Sequence, residues 1–82
     1  MKTPRDISGK EIIKVLSVFG YLPTPENGSH IRVTTQSKGE HHLAIPNHNS
    51  IKTRTLNAIL SQVAIHFEIT KEQVLQKLFG KN

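Results

Sequence analysis

A chain of 82 residues has room for one small domain and no second core. Having no cysteine, it excludes a disulfide staple, a thiol nucleophile and any cysteine-ligated zinc site, and no apolar run approaches the roughly 18 residues of a membrane span. Eleven Lys and Arg against six Asp and Glu leave a formal charge of +5, which favours a polyanionic partner such as nucleic acid, and five histidines add positive charge as the pH falls towards ~6.5.

Residues Met1 to Arg5 lead into no signal-like apolar region, so the expectation is a soluble, cytoplasmic protein with no membrane contact. The first predicted element is a helix over Ser8–Gly20. Ser8 and Glu11 have the spacing of a capping box, in which each side chain satisfies the other residue's amide, and Gly20 suits a left-handed terminus. Ile12, Ile13, Leu16 and Phe19 recur at helical spacing with Val15 at the margin, while Lys10 and Lys14 share another face.

Pro23 and Pro25 then reduce "YLPTPENG" to a short edge strand at most, with a turn at Asn27-Gly28. Ser29 to Thr35 alternates, Ile31 and Val33 on one face and His30, Arg32 and Thr34 on the other. His41 to Pro46 alternates again after the polar turn "QSKGE", with His41 on the side of Leu43 and Ile45 and His42 opposite. An antiparallel hairpin results, and its open face carries His30, Arg32 and His42, the last a candidate cross-strand neighbour of His30.

After the loop "PNHNS", Thr53 or Thr55 is positioned to cap a second helix with the stripe Leu56, Ile59, Leu60 and Val63. Thr70 and Gln73 repeat the capping-box spacing and open a last short helix with Val74, Leu75 and Leu78, stopped near Gly80. The order α-β-β-β-α-α predicts an α+β fold, an antiparallel sheet covered by helices on one face. The whole of 1–82 reads as one domain, with its core at about 7–69 and a helical extension at 70–82.

Chemistry-bearing side chains concentrate between residues 28 and 54. His30, His42 and His48 supply groups that exchange protons near neutrality, and Arg32, Lys52 and Arg54 supply charge for a phosphate, the last two at a helix N-terminus. These are the parts of a metal-independent ribonuclease. On periodicity alone, however, a solvent-facing strand histidine is an ordinary polar residue. His41 and His42 point to opposite faces and make a poor metal pair; His42 with His48 lacks a carboxylate, so no metal and no cofactor is expected. Ser29 beside His30 is no hydrolase dyad, because neighbouring strand residues face opposite ways. Glu26, Glu40 and Glu68 read as solvated.

Four short motifs in order, "GKEIIKVLSVFGY", "GSH" entering a strand, "LAIPNH" and "IKTRTLNAILSQ", resemble the HicA family of toxins, also grouped as YcfA-like proteins, from about Ile7 to Ile69. The resemblance implies a fold similar to the double-stranded-RNA-binding domain. It also implies a ribonuclease acting on messenger RNA and held inactive by a HicB antitoxin. His30 matches the family's catalytic histidine, Gly28 and Ser29 the two positions before it, His48 the histidine after the last strand, and Thr55-Leu56 the "TL" opening the second helix. Family members often read "GSHH" after basic residues; here Ile31 follows His30 and Glu26 precedes it. A non-catalytic RNA-binding module, or a protein-interaction module of the same fold, is the alternative.

Overall fold

The computed structural model describes residues 6–24 and 29–80. Helix α1, Gly9–Leu16, continues as a 3-10 turn, Ser17–Phe19. Strands β1 (Leu22–Pro23), β2 (His30–Thr35) and β3 (His41–Pro46) form one antiparallel sheet in the order β1-β2-β3, and helices α2 (Thr53–Phe67) and α3 (Lys71–Phe79) follow. This is the expected α+β arrangement, with β1 only two residues long and ending on Pro23.

Both expected capping boxes form. The Glu11 amide donates to Ser8 Oγ (3.0 Å) and the Ser8 amide to Glu11 Oε1 (2.8 Å); Thr70 and Gln73 repeat the exchange at 3.0 and 2.8 Å. The first helix ends earlier than its apolar spacing predicts. Ser17 Oγ donates to the Lys14 carbonyl (2.7 Å) as the last turn tightens, and Gly20 closes it at φ 87°. Gly80, by contrast, is extended (φ −69°), so α3 stops without a left-handed residue.

The second helix departs from expectation at its start. Its N-cap is Lys52, with no side-chain cap; Thr53 and Thr55 lie inside the first turn. Their hydroxyls therefore do not occupy the capping position, and the first intrahelical bond runs from the Leu56 amide to the Lys52 carbonyl (2.9 Å).

One core joins the three helices to β2 and β3. Ile12 and Leu16 of α1, Val33, Leu43 and Ile45 of the sheet, and Leu56, Leu60 and Val63 of α2 are buried together, and α3 adds Val74, Leu75 and Leu78. Truncating a wholly buried member such as Ile12 to Ala costs about 2–5 kcal/mol. Gly9 brings α1 against the end of β3: a Cβ there would overlap the Pro46 carbonyl oxygen, and the Gly9 amide donates to the His48 carbonyl (2.9 Å). Ile51 N–H donates to the Ile7 carbonyl (2.8 Å), so the loop between β3 and α2 is stitched to the start of the fold.

Candidate functional site

The hairpin register follows from pairing two six-residue strands end to end: Thr35 lies opposite His41, and His30 opposite Pro46. His30, Arg32 and Thr34 share the open face with Ala44 and His42. His30 and His42 are nevertheless not cross-strand neighbours. The partner of His42 is Thr34, four residues from His30 and about 13 Å along the strand.

His42 is also occupied elsewhere. Its Nε2–H donates to Glu40 Oε2 (2.8 Å), and its Nδ1 lies 2.7 Å from Thr34 Oγ1, which donates to it in that tautomer. Glu40, exposed as expected, is thus the acceptor of a hydrogen bond from His42. Glu68 is exposed at the left-handed C-cap of α2 (φ 58°). Pro25, Glu26, Asn27 and Gly28 lie outside the described residues, and with them the expected turn and the first residue of the "GSH" match.

At the far end of β2, the loop after β3 folds back beside His30. A cavity of about 340 Å³ is lined by His30, Pro46, His48, Ser50, Ile51, Lys52 and Thr55. Two backbone bonds fix this arrangement from either side: Asn47 N–H to the Ser29 carbonyl (2.8 Å), and Gly9 N–H to the His48 carbonyl (2.9 Å). Gly9 therefore holds the loop through the close approach that only glycine permits. Of the cations expected at a phosphate, Lys52 lines this cavity. Arg54 is exposed in the first turn of α2 and does not line it; Arg32 lies on the open face, about 7 Å along the strand from His30.

Ser29 is closer to His30 than strand alternation allows, because it precedes the strand. Its Oγ lies 3.2 Å from His30 Nδ1. With Nδ1–H donating to the hydroxyl, Nε2 keeps a lone pair, the state a general base requires. Lys52 at the cap, together with the amides of Thr53, Arg54 and Thr55 ahead of the first intrahelical bond, presents positive potential, and no acidic residue stands in the first turn. Ser50 was silent in the sequence; its signal was only the polar loop between a strand and a helix. Ile31 pairs with Ile45 on the core side of the sheet and does not line this cavity.

A second pair of histidines lies at the opposite end. Tyr21, wholly buried, places its hydroxyl 2.7 Å from His41 Nδ1; His41 stacks on His66 with centroids 4.4 Å apart and planes within 10°, and His66 Nε2–H donates to the Ser37 carbonyl (2.9 Å). Burial, reinforced by His66 and His42, holds the His41 imidazole below its ordinary value, and burial pushes the Tyr21 phenol up to about 12. Among the described residues, no three His, Asp or Glu side chains converge as metal donors, and no helix is long and apolar enough to cross a membrane.

The family model described as "HicA toxin of bacterial toxin-antitoxin" matches residues 9–65 of the chain. That stretch runs from Gly9 through the strands, the His30 cavity and most of α2; α3 lies beyond it. Neither the curated proteins nor the solved structures gave a match.

Proposed function

Because the chain belongs to the HicA toxin family of bacterial toxin–antitoxin systems, we propose that it is a metal-independent endoribonuclease that cleaves messenger RNA in the cytoplasm with His30 as catalytic base. A HicB-type antitoxin would hold it inactive. The observation that carries this reading is the meeting of His30, His48 and Lys52 around one cavity at the α2 N-terminus.

In the reaction, neutral His30 takes the proton of a ribose 2′-hydroxyl through Nε2, while Ser29 Oγ accepts from Nδ1–H and orients the ring. The 2′-oxygen attacks the adjacent phosphorus. Negative charge building on the phosphate is met by Lys52 and by the uncapped amides of α2, donors already aimed and costing little reorganisation. The bond to the 5′-oxygen breaks, and His48, protonated, gives that oxygen its proton, leaving a 2′,3′-cyclic phosphate. His48 takes the acid role over His42 because it shares the cavity with His30, whereas His42 is engaged by Glu40 and Thr34. Arg32 and Arg54 steer the flanking backbone into place by charge.

The test is cleavage of RNA by the purified protein in EDTA, wild type against His30→Ala. Loss of cleavage in the variant, with wild-type activity intact in EDTA, is the expected result. Equal cleavage by both would remove His30 from the mechanism. Tight, salt-sensitive binding of RNA that stays intact with the wild type would point instead to a binding module of the same fold.

A further inference from the structure

At the end of the sheet away from His30, a second groove of about 590 Å³ is lined by Ser17, Val18 and Phe19 of the 3-10 turn and Gly20 after it, Ser37 and Lys38 of the hairpin turn, Phe67 at the end of α2, Ile69 in the link to α3, and Lys77 of α3. No Asp or Glu lines it. The nearest acid in sequence, Glu68, is exposed between two lining residues.

Its walls are preformed. Buried Thr35 donates from Oγ1 to the Phe19 carbonyl (2.8 Å) and accepts from the Ser37 amide (3.1 Å), joining the 3-10 turn to the hairpin; His66 joins α2 to the same Ser37. Lys38 is held at φ 58°, a left-handed backbone that costs a non-glycine residue stability, so the rim charge is set by the turn. Val18 is 57% exposed, and Leu22, 64% exposed, lies in an adjoining depression that shares Gly20 and Ser37 with the groove.

We propose that this groove is a docking site for an acidic, apolar segment of the antitoxin: an aliphatic side chain seats against Val18 and Ile69 while flanking carboxylates meet Lys38 and Lys77. Charge complementarity selects the occupant. A second copy would bring another net +5 to a rim that already carries two lysines. An unpaired RNA base finds no stacking platform here, since Phe19 and Phe67 pack on each other at 4.8 Å with less than a tenth of either exposed. The groove begins about 17 Å along β2 from His30, so a grip here leaves the cavity to another part of the partner. Ile69 and Lys77 lie past the stretch matched by the family model.

The proposal rests on membership of the toxin–antitoxin family and not on the ribonuclease reading, and the experiment keeps the two apart. The probe is the antitoxin co-expressed with this chain, separated, and titrated back onto purified toxin by calorimetry. Two variants are compared with wild type: Lys38→Asn with Lys77→Gln, where Asn tolerates the left-handed backbone, and Val18→Asp. Affinity is expected to fall about tenfold or more in each, with a shallower salt dependence in the charge variant, while melting temperature and cleavage of RNA stay unchanged. Unchanged affinity in both variants overturns the proposal. So does weakened RNA binding with the antitoxin affinity intact, which would make the groove part of the nucleic-acid surface.

Discussion

His30 and His48 meet at one end of the sheet, against the uncapped N-terminus of α2 and Lys52, with Ser29 as the only hydrogen-bond partner seen on the His30 ring among the described residues. His41 and His66 stack at the other end, near the C-terminus of the same helix, with a buried tyrosine on one ring and the Ser37 carbonyl on the other. The pairs differ in what their nitrogens are doing. A ring whose Nε2 is open beside positive potential is equipped to move a proton at a phosphate; a ring clamped between a phenol and a second imidazole is equipped to hold a hairpin to a helix.

Substitutions that divide the two regions sharpen this contrast. After His30, the largest effect is expected at His48. His48→Gln keeps size and polarity but cannot deliver the leaving-group proton, so RNA cleavage should fall about 100-fold with the melting temperature unchanged. A variant that cleaves normally would move the acid role elsewhere.

Next in size is Tyr21→Phe. The ring stays in the core but the bond to His41 is lost, which should cost about 1 kcal/mol of stability and lower the midpoint of thermal unfolding by some 4–8 °C without slowing cleavage. Slower cleavage at full stability would mean that the stacked pair does more than hold the fold.

Smaller still is the dependence of stability on acid. His41 binds its proton less readily in the folded chain than in the unfolded one, mainly through burial and then through the charges of His66 and His42. Its contribution is therefore complete above about pH 6.5 and is lost as the pH falls below that towards the lowered folded value. Unfolding midpoints measured from pH 7.5 down to pH 5 should decline, and the decline should be shallower in His41→Gln; equal slopes would remove His41 from the linkage. At the alkaline side Tyr21 is the one tyrosine of a chain without tryptophan, so its ultraviolet titration reads a single group. Ionisation near pH 12 in the folded protein is expected, against about 10 for an exposed phenol, and stability should be lost as the pH rises past 10.

The elements that were legible in the sequence are those set by local chemistry. Ser8–Glu11 and Thr70–Gln73 name their helix starts because a capping box is a bond between residues three apart, and the stripe Leu56, Ile59, Leu60 and Val63 names its helix by period alone. The pairing of His30 with Pro46 is implicit in two strands of matched length, and it sets His42 opposite Thr34 and away from His30. The cavity was legible only in part. His48 joins His30 because Gly9 lies against the Pro46 carbonyl and anchors the loop, a contact between residues nearly forty apart that no local pattern announces. The same is true of the Tyr21–His41–His66 array, assembled from three separate elements, whose members looked like unrelated polar or core positions.

The central claim is that chemistry resides at His30 and structure at His41. It is tested most directly by measuring RNA cleavage in EDTA and thermal unfolding side by side for His30→Ala and His41→Gln. The account predicts that His30→Ala loses cleavage by at least about 100-fold and keeps its melting temperature, since its side chain is exposed, while His41→Gln keeps cleavage and melts lower. Cleavage that survives in the first variant and disappears in a fully stable second one would contradict it.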